Sequence, residues 1–319
     1  MLKPSEKTDG SARRIGHELE FSNVSLAEAA HLLESIFQGE ITKKHNNLIS
    51  LETEDGAFTI LVDFEYLQEL SSDEAALKKD AFKNYAKTTL EDMSEGIVPL
   101  EIVTPPLLPE QQDKIDALAK KLKEAGAQGT KDSLINAFGY HLNIDIPDLE
   151  APTITRYLQS YCLLEPWLAK RVQRDITRGM SGYTKYYTTR FKKEILRENY
   201  APSQSDIINT YLYHNPSRNR ALDMLPIFAM IDEEKVRLAT GGDTLVKKRP
   251  AFHYRLPNCA LNVLSWTPSQ ELKHWSYVEK VANDDKLRAQ LIRAWHDSLF
   301  MSFLNKTKMN KKINELLDI

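Results

Sequence analysis

Two glutamates near the start of the chain have a spacing that suits chemistry at a shared site. Glu18 and Glu20 lie in the apolar segment Ile15–Phe21, and alternate side chains of an extended strand point to the same face. The carboxylates therefore share one face, while Leu19 and Phe21 share the other. At about 4 Å, two such charges repel by about 4 kcal/mol at an effective dielectric constant of about 20. The pattern predicts a nearby cation; an edge strand with a solvated polar face is the alternative.

Three further predicted strands carry similar polar residues on one face. They are Glu101 in segment 97–103, His141, Asn143 and Asp145 in segment 140–146, and His253 and Arg255 in segment 252–256. A solvated strand face usually carries Lys, Thr, Ser or Gln, as the predicted strand around 50–53 does. Each strand alone fits that ordinary interpretation. Together, however, carboxylates, imidazoles and a guanidinium without lysine favour a site for divalent metal and phosphate.

Composition limits the class of protein and its partners. The chain has 319 residues, of which 42% are hydrophobic and 27% charged, as in soluble globular proteins with one large or two small domains. A net charge of −3 argues against nucleic-acid or anionic-membrane binding, but permits a local basic site. No segment approaches the roughly 20 apolar residues of a membrane span, so we expect a cytoplasmic protein. Cys162 and Cys259 lack the spacing of a zinc site and are expected to be buried thiols.

Periodicity predicts an α+β fold that does not follow a regular βαβ order. The predicted elements are helices at 25–37, 73–93, 110–125, 153–172, 190–198, 204–213 and 271–303, a β-hairpin at 47–62 and strands at 15–21, 97–103, 138–146 and 251–256. We expect a flexible lead at 1–13, a single domain at 14–305 and a basic tail or helix at 306–319.

Five motifs, in this order, resemble those of the amidoligase family. They are RIGHELEF (14–21), EIVTPP (101–106), GYHLN (139–143), NPSRNRALD (215–223) and HYRLP (253–257). The family comprises carboxylate–amine ligases that resemble glutamine synthetase and γ-glutamylcysteine synthetase. The resemblance therefore implies a curved, mainly antiparallel sheet like the glutamine synthetase half-barrel, with helices on its convex side and a helical C-terminal portion.

The resemblance also implies a reaction and a set of site residues. ATP would phosphorylate a small-molecule or peptide carboxylate, and an amine would then displace phosphate to form an amide or isopeptide bond, with two or more Mg²⁺ or Mn²⁺ ions bound. The implied metal ligands are Glu18, Glu20, Glu101, His141 and His253. Arg255, Arg218 and Arg220 would hold the phosphate or acyl phosphate, and Asn143 and Arg255 would contact nucleotide or substrate.

Two departures from the family pattern keep other functions open. Leu61 stands where similar sequences commonly have an acid, which leaves Asp63 as the acid on that face, and His253 stands where glutamine synthetase-like enzymes have a glutamate. A degenerate member that binds nucleotide or a partner without turnover is one alternative. A metal-dependent peptide or amide hydrolase is another. The residues specify neither the substrates nor the oligomeric state.

Overall fold

The computed structural model of this protein describes residues 2–62, 99–129, 138–172, 184–300 and 305–318. The chain divides into two compact units. We call residues 14–142 with 258–269 the strand-rich unit, and residues 1–13, 143–257 and 270–319 the helix-rich unit. The predicted helix at 73–93 and Asp63 lie outside the described residues.

The strand-rich unit contains an antiparallel array of strands. They are β1 (Ile15–Phe21), β2 (Glu40–His45), β3 (Leu48–Thr53), β4 (Gly56–Val62), β5 (Leu100–Val103) and the first half of β6 (Tyr140–Asp145). Their order is β2-β3-β4-β5-β1-β6. Thr53 pairs with Gly56 across the turn between β3 and β4, which confirms the predicted hairpin at 47–62. The strand β1 thus lies between β5 and β6.

Two amphipathic helices cover apolar parts of this unit. Helix α1 (Leu26–Phe37) begins after Ser25, whose hydroxyl accepts a hydrogen bond from the Glu28 backbone N–H and so satisfies one of the free donors of the first turn. It packs against β3, β4 and helix α2 (Gln112–Glu124). The buried residues are Leu26, Ala29, Ala30, Leu33 and Phe37 of α1, and Ile115, Leu118, Ala119 and Leu122 of α2. Their spacing of three and four residues is what made both helices predictable.

The helix-rich unit contains most of the remaining elements. Its helices are α3 (Ala151–Arg171), α4 (Thr189–Ile195), α5 (Gln204–His214), α6 (Leu225–Ile231), α7 (Glu233–Ala239), α8 (Pro268–Ala282, from residue 270 onward), α9 (Asp285–Phe300) and α10 (Asn305–Leu317). The second half of β6 is followed in strand order by β8 (Ala251–Tyr254) and β7 (Leu222–Asp223). The strands β7 and β8 are antiparallel.

One long helix predicted from the sequence is wrong. The apolar periodicity across 271–303 predicts a continuous helix, but α8 ends at Ala282 and α9 begins at Asp285. Asp284 accepts a hydrogen bond from the Leu287 backbone N–H at 2.9 Å, as an N-cap residue does. The cap starts a new helix within an unbroken apolar pattern.

The described residues thus form a mixed α and β fold. Their eight strands are antiparallel, and they are accompanied by ten helices. None of the described helices is both long and apolar enough to cross a membrane. Cys162 and Cys259 are buried free thiols, as predicted. The glutamine synthetase-like curvature and the single-domain boundaries stay predictions.

A buried ion pair anchors the end of the N-terminal segment in the helix-rich unit. Leu2 is buried and Arg13 is completely buried. The Arg13 guanidinium contacts both carboxylate oxygens of Glu279, at 2.9 and 3.1 Å, and donates to the Asp145 carbonyl at 2.7 Å. The Tyr157 hydroxyl also donates to Glu279 at 2.5 Å. Because both charges are shielded from water, each depends on the other.

Removing the anion of this pair should be strongly destabilising. We expect Glu279→Ala to lower the free energy of unfolding by about 3 to 5 kcal/mol, because it leaves a buried guanidinium without its counter-charge. Urea unfolding would measure the change. Glu234→Ala, at an exposed glutamate, is the control and should have little effect. Equal unfolding midpoints for the two variants would contradict this account of Arg13.

A histidine lies on the inner face of β1, which is the apolar face opposite Glu18 and Glu20. His17 is fully buried on the face that carries Leu19 and Phe21, and its Nδ1 lies 2.7 Å from the Tyr140 hydroxyl. Burial lowers the pKa of His17 to about 3, because the charged ring would lose its hydration. The ring is therefore neutral at physiological pH and links the inner faces of β1 and β6.

The burial of His17 should make stability depend on pH. In the unfolded chain the ring binds a proton below pH 6.5, whereas the folded state resists protonation until about pH 3. Between these values its contribution lowers the free energy of unfolding by up to about 1.4 kcal/mol per pH unit as the pH falls. His17→Asn keeps a donor near Tyr140 and should flatten this slope in urea unfolding at pH 4 to 7. The control His31→Asn, at an exposed histidine, should leave the slope unchanged. The prediction would be refuted if the free energy of unfolding depended on pH in the same way in the parent protein and both variants.

Candidate metal centre

The polar face of β1 carries the two glutamates that the sequence singled out. The Glu18 and Glu20 side chains are only 14% and 13% exposed, while Leu19 and Phe21 are completely buried. The alternation predicted from the sequence is thus present. The limited exposure also argues against the alternative of a freely solvated strand face, because carboxylates are rarely buried to this extent without a partner.

Neighbouring strands bring further ligand-type residues to these carboxylates. Glu101 of β5 is the direct antiparallel partner of Glu20, and residues directly opposite each other in such a pair project to the same face. From β6, the His141 Nδ1 lies 2.9 Å from a Glu18 oxygen, and its Nε2 lies 3.4 Å from a Glu20 oxygen. Four predicted site residues therefore converge within the strand-rich unit.

Three of these residues offer ligand atoms close enough to share one ion. One oxygen each from Glu20 and Glu101 and a ring nitrogen of His141 lie within 4.8 Å of one another. Ligands on opposite sides of an ion bound at about 2.1 Å are about 4.2 Å apart. Small side-chain rotations would therefore bring all three atoms to bonding distance. Carboxylate and imidazole donors together suit a divalent cation such as Mn²⁺, Mg²⁺ or Zn²⁺.

Hydrogen bonds hold these groups in place. One oxygen of Glu20 accepts from the Gly139 backbone N–H at 2.5 Å, which directs its other oxygen towards His141. When the His141 Nδ1–H donates to Glu18, the lone pair of the neutral ring lies on Nε2, on the side of Glu20. A lone pair and a carboxylate oxygen repel unless a proton or a metal ion lies between them. The arrangement is that of a metal-binding histidine oriented by a carboxylate.

Leu61 occupies a position next to this cluster on β4. It pairs directly with Glu101. The strand-rich unit therefore places an apolar side chain beside a predicted metal ligand, and Asp63 lies outside the described residues.

The arginine-bearing motifs lie in the helix-rich unit and contact one another. Arg255 is 7% exposed, and its guanidinium donates to the Arg218 carbonyl at 3.0 Å and to the Asn219 side-chain oxygen at 3.4 Å. Its backbone N–H donates to the Ala221 carbonyl. These hydrogen bonds fasten the segment after β8 to the loop at 215–221. They therefore bring the motif at 253–257 into contact with the motif at 215–223.

The other two predicted arginines differ in their partners. The Arg218 Nε lies 3.6 Å from a carboxylate oxygen of Asp243. Arg220 donates to the backbone carbonyls of Tyr186 and His214, at 3.0 and 3.4 Å. These contacts indicate that Arg220 stabilises the loop, whereas Arg218 forms a partly exposed ion pair that a stronger anion could replace.

His253 and Asn143 complete the set predicted from the sequence. His253 pairs with Asp223 across β7 and β8, and its Nδ1 lies 3.7 Å from a carboxylate oxygen of the buried Asp223. Asn143 is half-buried in β6. Sequence reasoning gave no role to Asp223 or to the Gly139 N–H, because a strand of two residues and a single backbone donor leave no readable pattern.

Comparison with known proteins gives one match. The family model described as "Putative amidoligase enzyme" matches residues 11–277. This chain belongs to that amidoligase family. No curated protein and no solved structure matches it. The matched region includes all the candidate residues described above and ends within α8, so α9 and α10 follow it.

Proposed function

We propose that this amidoligase is an ATP- and divalent-metal-dependent ligase that joins a carboxylate to an amine through an acyl phosphate. The observation that carries the proposal is the convergence of Glu20, Glu101 and His141, with ligand atoms within 4.8 Å. An amide-forming enzyme that uses ATP must neutralise the negative charge of the triphosphate. Divalent cations held by a carboxylate cluster would supply the positive charge that does so.

The residues of the cluster would have distinct tasks. Glu20, Glu101 and His141 would hold one divalent ion, and Glu18 would orient His141 and contribute to a second ion. A bound ion would screen the phosphate oxygens and polarise the phosphorus during transfer. Because one donor is an imidazole, we expect Mn²⁺ to bind more tightly than Mg²⁺.

The environment of Arg255 supports an anion site. Its guanidinium is buried, yet its partners among the described residues are a carbonyl and an amide oxygen rather than a carboxylate. Its Nε forms no hydrogen bond within the described part of the chain. A buried cation without a counter-ion is costly, and an anionic ligand would reduce this cost. We assign Arg255, with Arg218, to binding phosphoryl oxygens, and Arg220 to holding their loop.

The proposed reaction has two steps. A substrate carboxylate oxygen attacks the γ-phosphorus of ATP, which forms the acyl phosphate and releases ADP. The amine nitrogen then attacks the acyl carbon, the C–N bond forms, phosphate leaves and the nitrogen loses a proton. In this proposal the described residues would bind the phosphoryl group and neutralise its charge.

A second candidate is a metal-dependent amide hydrolase. The combination of imidazole and carboxylate ligands favours it, because this donor set also occurs in hydrolytic metal sites. The degenerate alternative is favoured by Leu61 beside Glu101. ADP release that requires both a carboxylate and an amine would support the ligase. Amide cleavage without ATP would support the hydrolase, and nucleotide binding without ADP release from any metabolite pool would support the degenerate member.

Substitution of one central ligand tests the metal site. We expect Glu20→Gln to weaken Mn²⁺-dependent binding of a non-hydrolysable ATP analogue at least about tenfold in calorimetry, since it removes one anionic ligand. Glu40→Gln, at an exposed glutamate of β2, is the matched control and should bind as the parent protein does. Thermal unfolding would verify that both variants fold. Unchanged binding by a folded Glu20→Gln would exclude Glu20 from the site.

The guanidinium of Arg255 can be tested separately from the metal ligands. Arg255→Lys keeps the positive charge but loses the planar, bidentate donor. We expect kcat for ADP formation to fall about a hundredfold, while Mn²⁺ affinity in the absence of nucleotide stays unchanged. Arg237→Lys, at an exposed arginine of α7, should retain full activity. Parent-like turnover by Arg255→Lys would show that Arg255 does not bind the phosphoryl group.

A further inference from the structure

A cavity in the helix-rich unit combines positive charge with fixed hydrogen-bond donors. It has a volume of about 290 Å³ and lies where the end of α3 meets α8 and α10. Its lining residues are Trp167, Lys170, Arg171, His274, Asn310 and Asn314. None of these side chains is a carboxylate. The cavity is therefore positively charged and small, close to the lower limit of typical ligand sites.

The Arg171 guanidinium is held rigidly at this cavity. It stacks on the Trp167 indole, 4.0 Å from the ring centroid, and its Nη2 donates to the Asn314 side-chain oxygen at 3.0 Å. The Trp167 indole N–H donates to the same oxygen at 2.8 Å. Stacking and hydrogen bonding fix the plane of the guanidinium, so little conformational entropy remains to be lost when a ligand binds.

The acid nearest to the cavity, Glu271, contacts the His274 ring rather than the two basic side chains. Neither Lys170 nor Arg171 forms an ion pair within the described residues, and the Arg171 Nε is buried there without a hydrogen-bond partner. Arg171 is half-buried, whereas Lys170 is exposed. Two adjacent cations at one concavity repel each other, and an anionic ligand would relieve this repulsion.

The two asparagines of α10 complete the donor set. His274 adds bulk rather than a donor, because its Nδ1 lies 2.9 Å from a Glu271 oxygen and the neutral ring then carries its lone pair on Nε2. Asn310 and Asn314 are one turn apart on α10 and so lie on the same face of that helix. Because the Asn314 oxygen accepts two hydrogen bonds, its NH₂ group remains a donor for other partners.

We propose that this cavity binds a small tetrahedral oxyanion, either inorganic phosphate or the phosphate group of a phosphorylated metabolite. A guanidinium, an ammonium and amide donors match the charge and the several acceptor oxygens of such a dianion. The site is separate from the proposed ligase chemistry, since it shares no residue with the metal centre or the arginine motifs. Asn310 and Asn314 also lie beyond residue 277, where the family match ends, so the site is a feature of this chain and not of the family model.

Calorimetric titration of the full-length protein with inorganic phosphate in EDTA tests this proposal. We expect binding that Arg171→Gln weakens about tenfold or more, since it removes charge-assisted hydrogen bonds. Arg197→Gln is the matched control, because the exposed Arg197 also stacks on an aromatic ring, that of Tyr200. Lys170→Gln changes only an exposed side chain, should fold normally, and should weaken binding about threefold to tenfold.

Further calorimetric titrations distinguish this site from the proposed ligase site and identify the class of ligand. Phosphate binding should persist in Glu20→Gln and Arg255→Lys, which alter only the proposed ligase site. A glycerol phosphate titration distinguishes a phosphate monoester from the free ion, and succinate serves as a dianion of different shape. The proposal would be overturned by absence of phosphate binding, by parent-like phosphate affinity in both Lys170→Gln and Arg171→Gln, or by a succinate affinity equal to that for phosphate.

Discussion

The candidate site depends on one constraint, the alternation of side chains in β1 between two antiparallel neighbours. Because Leu19 and Phe21 must be buried, Glu18 and Glu20 are forced onto the opposite face. The neighbouring strands then place Glu101 and His141 beside them. A shift of one residue in β1 would bury the carboxylates and expose the apolar side chains. The packing of the strand-rich unit and the geometry of the metal centre are therefore set by the same register.

Parts of the molecule could be predicted because they follow local rules. The alternation in β1 indicated the shared face of Glu18 and Glu20, and the cap at Ser25 with regular apolar spacing indicated α1. The hairpin of β3 and β4 was likewise readable from two alternating segments around a short turn. In each case the pattern lies within a few consecutive residues, so tertiary contacts are not needed to recognise it.

Other features could not be predicted because they depend on distant contacts. The pairing of Glu20 with Glu101 is a matter of register between strands far apart in the sequence. Arg13 looks like an ordinary polar residue of a terminal segment, yet Glu279, which is much further along the chain, makes its burial favourable. The break between α8 and α9 depends on a single cap at Asp284, which apolar periodicity does not reveal.

The most direct test of this account is to locate a bound ion. Anomalous diffraction from crystals soaked in Mn²⁺ would show where the metal lies and which atoms bind it. The account predicts a peak at about 2.1 to 2.3 Å from a carboxylate oxygen of Glu20, a carboxylate oxygen of Glu101 and the Nε2 of His141. A fully occupied manganese ion bound elsewhere, with these three side chains uncoordinated, would contradict it.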